Sequence, residues 1–329
     1  MPGRRQAARW LGIGLCGLGL LSLALAGDGR PGMGSHHETN AVDVSGLLEK
    51  MAQAVRLLSY EGTLVYLHEN RLDALSLVHR VEKGEIQERL ISLSGPIQAT
   101  ARQHDRVMCV MPNGHPISVE PEQGAGFLNA GGIDPSALGA HYRIEELGSA
   151  RVAGRDTDVI GIIPRDGLRY GYQFHIDRET ALPLKSDLID ADREPLEQLM
   201  FTSLDLKPSD GVPPREESTP MRSAPEATSS GGWRFQDPPE GFALVMGHSL
   251  KQRDGSELEH YLFTDRLSSY SIYIEQGDQE GLEGEASIGA VHAVGRRIQG
   301  HQVTVVGEVP LVTVRQAIAG VQRMSGSHD

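Results

Sequence analysis

The sequence predicts an α+β protein, mostly β, in which a large antiparallel sheet is followed by a smaller sheet-and-helix domain. Short β-prone runs separated by charged or glycine-containing turns recur up to residue 206. A stretch rich in proline and serine, 207–232, interrupts them. A second, compact set of strands with one helix occupies 233–322. We therefore expect a first domain over 41–206, a linker over 207–232 and a second domain.

The N-terminus has the pattern of a cleavable signal peptide. Three arginines precede an apolar run at 10–25, which ends in the sequence Ala-Leu-Ala. The run is shorter than the about 20 residues that a spanning helix needs. We predict a signal peptide at 1–26 and export of the mature chain, with an uncleaved anchor as the alternative.

The net charge and the cysteine content exclude some partners and an intramolecular disulfide. The net charge of −13 argues against nucleic acid or an anionic membrane as the main target. Once Cys16 leaves with the signal peptide, Cys109 cannot form an intramolecular disulfide. We interpret Cys109 as a buried apolar side chain, with a reactive thiol as the alternative.

The first domain begins with an amphipathic helix. Apolar residues recur there at helical spacing, with Asp43 or Ser45 available as the N-cap; they are Val44, Leu47, Leu48, Met51, Val55 and Leu58. Packing on the following sheet is favoured over membrane binding.

Roughly ten strands in sequential hairpins, with one helix, predict a strongly curved sheet or half-barrel. The predicted strands before residue 165 are 60–68, 72–81, 86–93, 97–102, 106–111, 117–120, 141–147, 151–153 and 156–164. Asp134-Pro135-Ser136 predicts a short helix.

The stretch 169–206 predicts a meander of three strands, 170–176, 182–189 and 196–206. In its first strand Tyr170, Tyr172, Phe174 and Ile176 share one face, and Gly171, Gln173 and His175 share the other. We expect the aromatic face to be packed and the polar face to be open to water.

The second domain is predicted from shorter runs. Its strands are expected at 233–235, 242–246, 258–263, 269–275, 288–297 and 301–306, with an acidic loop at 276–285. A closing helix after Pro310 would place Leu311, Val314, Ile318 and Val321 on one face.

No motif for catalysis, metal binding or a cofactor is present. The sequence lacks H-E-x-x-H, C-x-x-C, G-x-S-x-G, a P-loop and a dinucleotide glycine fingerprint. Its thirteen histidines are scattered. We therefore predict no catalytic residue, no metal and no cofactor, and a hydrolase remains an alternative without positive support. A curved aliphatic sheet can hold an apolar ligand, and the aromatic residues of the second domain are typical of a protein interface.

An ordered series of stretches resembles the MucB/RseB family. The matching stretches are YEGTLVYLHENRLDALSLVHR, ERLISLSGP, YGYQFHIDRETALPLKSDLIDADREPLEQLMFTSL, GFALV, HYLFTDRLSSYSIYIE and GAVHAVGRRIQGHQVTVVGEVPLVTVRQAIAGV. Together they cover nearly the whole mature chain.

The resemblance implies a LolA-like first domain, that is, a half-open antiparallel β-barrel covered by helices, and a smaller second domain. It implies a periplasmic negative regulator of the sigma-E envelope-stress response. Such a regulator binds the periplasmic part of a membrane-bound anti-sigma factor and shields it from site-1 proteolysis. A lipid-type signal, lipopolysaccharide or lipoprotein acyl chains, would release it. A LolA-type lipoprotein carrier is the alternative, although a carrier does not need the second domain.

Two groups of residues are candidates for these roles, and a homo-oligomer remains open. Candidates for the lipid cavity are Leu64, Tyr66, Leu75, Leu77, Ile91, Tyr172 and Phe174. Candidates for partner binding are Tyr261, Phe263, Arg296 and Arg297. The alternatives are plain core for the first group and a solvated pair for the arginines.

Overall fold

The computed structural model describes residues 43–94, 99–103, 106–110, 116–119, 133, 135–208, 229–230, 232–251, 257–276 and 281–324. The predicted signal peptide, the side chain of Cys109 and most of the predicted linker lie outside this part of the chain. The described residues form two compact units. The C-terminal unit comprises 164–170 together with 229–324, and the N-terminal unit comprises the rest.

The N-terminal unit is built on one sheet of eleven strands, in the order β6-β5-β4-β3-β2-β1-β11-β10-β9-β8-β7. The strands are β1 Ser59–His68, β2 Arg71–Glu82, β3 Glu85–Ser92, β4 Ala99–Gln103, β5 Arg106–Val110, β6 Pro116–Val119, β7 Tyr142–Val152, β8 Arg155–Pro164, β9 Gly171–Asp177, β10 Pro183–Ile189 and β11 Pro195–Lys207. Among the strands that the structure describes, β6 and β7 end the sheet and do not pair with each other, so this sheet is not closed. The predicted half-open antiparallel architecture, mostly β, is confirmed.

Helix α1, Val44–Leu57, follows the predicted spacing. Asp43 is its N-cap, since the carboxylate accepts a hydrogen bond from the backbone N–H of Gly46 at 3.1 Å. The helix buries Leu48, Met51, Ala54 and Val55. A short helix α2, Pro135–Leu138, also forms where it was predicted.

Strand β7 corrects one expectation. Two strands were predicted at 141–147 and 151–153, but the structure has a single strand across both. Gly148 lies inside it with φ of +103°, a conformation that glycine adopts without a side-chain clash. The glycine is thus accommodated within one continuous strand.

The meander forms as predicted, but its polar face is not open to water. Register places His175 opposite Lys185 and Gln173 opposite Asp187, so these side chains share one face. His175, Lys185 and Asp187 are 8%, 4% and 3% exposed. Lys185 and Asp187 pair at 3.0 Å, which lowers the cost of burying their charges.

The C-terminal unit contains two sheets, ordered β12-β13-β20 and β14-β15-β16-β19-β18-β17. The strands are β12 Ser229–Ser230, β13 Trp233–Phe235, β14 Ala243–Lys251, β15 Glu257–Thr264, β16 Ser269–Gln276, β17 Gly284–Ile288, β18 Val291–Ile298, β19 His301–Gly307 and β20 Val321–Arg323. Helix α3 spans Leu311–Ala319 after Pro310. No helix among the described residues is long and apolar enough to cross a membrane.

Three elements of this unit were not predicted, and one of them, β12, lies within the stretch expected to be a linker. Strand β17 begins at Gly284, inside the stretch expected to be an acidic loop, and pairs with β18. Val321, expected on the helix, belongs instead to β20, which pairs with β13. The helix ends at Ala319 and Gly320 caps it; an added Cβ at Gly320 would lie 2.0 Å from the backbone oxygen of Gln236. This close approach requires glycine and turns the chain into the small sheet.

Candidate functional site

One face of the eleven-stranded sheet gathers most of the predicted lipid-cavity residues. Leu64 of β1 pairs with Leu75 of β2, and Leu77 lies two residues further along the same face. Tyr172 and Phe174 lie on β9 opposite Leu188 and Ser186 of β10. Strand β11 joins the two groups, since it pairs with both β1 and β10. We call this surface the apolar face.

Aromatic rings pack along the apolar face. The rings of Tyr172 and Phe174 are parallel, with centroids 5.6 Å apart. Tyr60 stacks on the imidazole of His79 at 4.8 Å and meets Phe201 edge-on at 6.3 Å. Such contacts add stabilisation beyond the buried area and hold the rings in fixed orientations.

A few polar groups are built into this face. Nε2 of His79 lies 3.7 Å from Oε1 of the buried Glu88, and its Nδ1 lies 2.8 Å from the backbone oxygen of Leu58, just after α1. Burial, with a contribution from Glu88, raises the pKa of the Tyr60 hydroxyl well above its usual value. The hydroxyl of Tyr66 donates to Glu197 at 2.9 Å. These groups place polar atoms within the apolar face.

The structure does not bring all seven candidates together. Leu64, Leu75, Leu77, Tyr172 and Phe174 are at most 7% exposed and Tyr66 is half-buried. Ile91 pairs with Ser76, whereas Leu90 pairs with Leu77, so Ile91 lies on the opposite face of the sheet. The mismatch arises because the sequence does not reveal how the alternation of β3 aligns with that of β2.

A cleft of about 370 Å³ lies at one end of β1 and β2 in the N-terminal unit. Its lining contains none of the candidate residues and includes three charged side chains; it comprises Ser59, Arg80, Val81, Glu82, Lys207 and Pro208. Lys207 is bonded there to Glu61 at 2.8 Å. The cleft therefore has the chemistry of a charged surface groove.

In the C-terminal unit, two of the predicted partner-binding residues belong to the core. Tyr261 and Phe263 are 1% and 3% exposed, and both pack edge-on against Phe235. Phe263 also stacks on Tyr270 at 5.0 Å. They cannot contact a partner while the unit is folded. The expectation of exposed aromatic anchors at these positions is therefore corrected, because this face of β15 is covered by the rest of the core.

The two predicted arginines are exposed but differ in role. Arg296 donates to the backbone oxygen of Ile318 at 2.5 Å, and so satisfies a carbonyl in the last turn of α3. Arg297 pairs in register with Gln302, which pairs with Glu275 of β16. Arg297 therefore lies on the outer face of the six-stranded sheet, the side opposite the core.

The same outer face carries a row of rings that sequence reasoning did not select. His260 stacks on Tyr273 at 4.4 Å and meets His248 edge-on at 5.2 Å. Nε2 of His260 lies 2.9 Å from the hydroxyl of Ser271. Burial, and to a smaller extent His248, lower the pKa of His260 to about 4. Alternation along β16 places Tyr273 on the face opposite to that of Tyr270, and this signal could have identified the outer row.

The part of the chain that the structure describes has no group of three or more His, Cys, Asp or Glu side chains that could hold a metal ion. The arrangement on both sheets is that of packed apolar surface with polar and charged groups at intervals.

Two protein-family models together match residues 43–322. The MucB/RseB N-terminal domain matches residues 43–226, and the MucB/RseB C-terminal domain matches 227–322. The sigma factor AlgU regulatory protein MucB of Pseudomonas aeruginosa is 32% identical over 302 residues, which cover 86% of this chain and 92% of that protein. The sigma-E factor regulatory protein RseB of Escherichia coli is 24% identical over 293 residues, with the same coverage of 86% and 92%.

Solved structures give the same assignment. The Pseudomonas aeruginosa MucA/MucB complex contains a chain that is 29% identical, with a TM-score of 0.66, and the match covers 87% of this chain and all of that one. A structure of MucB in complex with MucA(peri) is 30% identical, also with a TM-score of 0.66, and covers 86% of this chain. With both domains matched along its length, the chain belongs to the MucB/RseB family of regulatory proteins.

Proposed function

We propose that this protein is a periplasmic negative regulator of an envelope-stress sigma factor, and not an enzyme. It binds the periplasmic part of a membrane-bound anti-sigma factor and shields it from site-1 proteolysis. The observation that carries the proposal is the match of both family domains, together with relatives solved with MucA and MucA(peri). The domain bounds 41–206 and 233–322, with a linker at 207–232, are part of this proposal, as is removal of residues 1–26 on export.

The outer face of the six-stranded sheet is the surface that we assign to the partner. Arg296 and Arg297 are exposed, and Arg297 shares this face with the half-buried ring of Tyr273. Arginine and tyrosine are both enriched at protein interfaces. Tyr261 and Phe263 support the sheet from the core side.

The apolar face of the N-terminal unit is the surface that we assign to a lipid-type signal. Leu64, Leu75, Leu77, Tyr172 and Phe174 supply apolar side chains on one side of an open sheet, and Tyr66 lies beside them. Their dense packing means that acyl chains must displace neighbouring groups to enter. Binding of lipid and of the anti-sigma factor are then linked: lipid favours a conformation with lower affinity for the partner.

The proposal is tested by titrating the mature protein into a fluorescent peptide from the periplasmic part of the anti-sigma factor. We expect saturable binding that weakens when lipopolysaccharide is added, and a loss of affinity of about tenfold in Arg297→Glu. Arg234→Glu, an exposed change on the small sheet of the same unit, is the matched control. Absence of binding with and without lipid would refute the partner, and binding insensitive to lipopolysaccharide would refute that lipid as the signal.

A further inference from the structure

The C-terminal unit includes a short stretch from far upstream in the chain. Residues 164–170, between β8 and β9, belong to it. The side chain of Arg169 in this stretch is 0% exposed and Tyr170 is 7% exposed. A buried arginine is rare and costly unless its charge and its N–H groups are matched.

The surroundings of Arg169 form a pocket that is complementary to a guanidinium group. Its Nη1 donates to the carboxylate of Asp265 at 2.5 Å, and its Nε donates to Asp166 at 3.0 Å. Its Nη2 donates to the backbone oxygen of Glu240. The ring of Phe242 lies 5.0 Å from the guanidinium carbon, within the range of a cation–π contact.

The same carboxylate that binds Arg169 also orders a turn. Oδ1 of Asp265, which is 5% exposed, accepts from the backbone N–H groups of Leu267 at 2.9 Å and Ser268 at 2.7 Å. Without Arg169, this buried carboxylate would lose the positive charge that it pairs with. If the side chain of Asp265 then turned toward water, both backbone hydrogen bonds would break. Occupancy of the pocket and order in the turn 264–268 are therefore coupled.

Two further contacts hold the stretch around Arg169. The hydroxyl of Thr313, in the first turn of α3, donates to the backbone oxygen of Leu168 at 2.5 Å. The hydroxyl of Tyr170 lies 3.1 Å from Nε2 of His292 on β18. Residues 168–170 thus contact a turn, a helix and a strand of the unit, as a bound peptide does.

We propose that the C-terminal unit carries a recognition pocket for an arginine side chain, and that residues 164–170 of this chain are its docked occupant. The stretch is a conformational switch with a docked and a released state. When it is docked, Asp265 is neutralised and the turn 264–268 is ordered; when it is released, both change together. The pocket selects a planar guanidinium over an ammonium. The N–H donors of the guanidinium point at a carboxylate and a carbonyl, and its carbon lies over the ring of Phe242.

The test is chemical rescue of Arg169→Ala in the full chain, followed by hydrogen exchange. We expect exchange of the amides of Leu267 and Ser268 to rise about tenfold or more, together with that of residues 164–170. Methylguanidinium at millimolar concentration should restore protection at the turn alone, since it fills the pocket without docking the stretch. Methylammonium at equal ionic strength should not restore it.

The control is Arg315→Ala, which removes an exposed ion pair with Glu285 in the same unit and should leave both segments protected. Unchanged exchange at the turn in Arg169→Ala, or equal rescue by methylammonium, would overturn the proposal. If Arg169→Ala does not fold, Arg169→Lys supplies the test. Lysine keeps the positive charge but lacks the planar set of N–H donors of a guanidinium. We therefore expect a partial loss of amide protection that methylguanidinium does not repair. Full protection in Arg169→Lys would contradict a guanidinium-specific pocket.

Discussion

The two large sheets differ in how they arrange their candidate binding residues, although both bury most of the apolar ones. On the eleven-stranded sheet, Leu64, Leu77 and Phe174 gather on one face, as their pattern predicts. On the six-stranded sheet, Tyr261 and Phe263 lie in the core, and Tyr273 and Arg297 face the other way. Alternation thus tells which residues share a face, but what packs on that face decides whether they are available for binding.

The largest expected effect separates core from surface in the C-terminal unit. Phe263→Ala should lower the free energy of unfolding by about 3–5 kcal/mol, because it leaves a cavity beside Phe235 and Tyr270. Urea denaturation followed by tryptophan fluorescence, with Trp233 as the reporter in this unit, measures it. A cost below about 1 kcal/mol would show that Phe263 is not core.

The second prediction compares the two faces of the eleven-stranded sheet. Leu77→Ala, at a side chain 1% exposed, should cost about 2–5 kcal/mol. Ile91→Ala, at a half-buried position on the other face, should cost clearly less because its cavity is open to water. Denaturant midpoints of the two variants check this order. Equal losses would contradict the assignment of Ile91 to the opposite face.

The third prediction uses the titration of His260 on the outer face. Its pKa of about 4 lies below the about 6.5 of an unfolded chain, so the folded state keeps the neutral ring. The contribution of the neutral ring to the free energy of unfolding is complete above about pH 6.5. It is lost, by about 1–3 kcal/mol, as the pH falls toward 4. Unfolding free energies at pH 7 and 4.5 should therefore differ more in the wild type than in His260→Gln. Parallel pH profiles would argue against a buried neutral His260.

The smallest expected effect is that of Arg297→Ala. An exposed substitution should change the free energy of unfolding by no more than about 0.5 kcal/mol. Its effect should appear instead in affinity for the anti-sigma factor segment, measured by the titration described above. A large loss of stability would place Arg297 among residues that hold the fold, and would remove the support for a partner surface there.

Much of the fold follows from local patterns. Apolar spacing and Asp43 define α1, and alternation between charged turns defines most of the strands. The elements that were missed depend on distant contacts. Strand β20 pairs with β13, and Gly320 just before it approaches the backbone of Gln236, some 80 residues earlier in the chain. No local pattern encodes such an approach.

The sites were harder to predict than the fold. Arg169 occurs in a charged turn, which favours an exposed position, yet it pairs with Asp265, 96 residues away. The polar face of the meander was expected in water, yet Lys185 and Asp187 are buried as a pair. In both cases a charge is buried because its partner is supplied by the tertiary fold, and the composition of a single segment does not reveal that partner.

We propose that this protein shields an anti-sigma factor from the site-1 protease. A protection assay tests this proposal most directly. The periplasmic part of the anti-sigma factor is incubated with the site-1 protease, with and without a stoichiometric amount of the mature protein. We expect cleavage to slow by about tenfold or more when the protein is present, because most of the substrate is then bound. Addition of lipopolysaccharide should restore the rate. Equal cleavage rates with and without the protein, at concentrations where the two bind, would contradict the account.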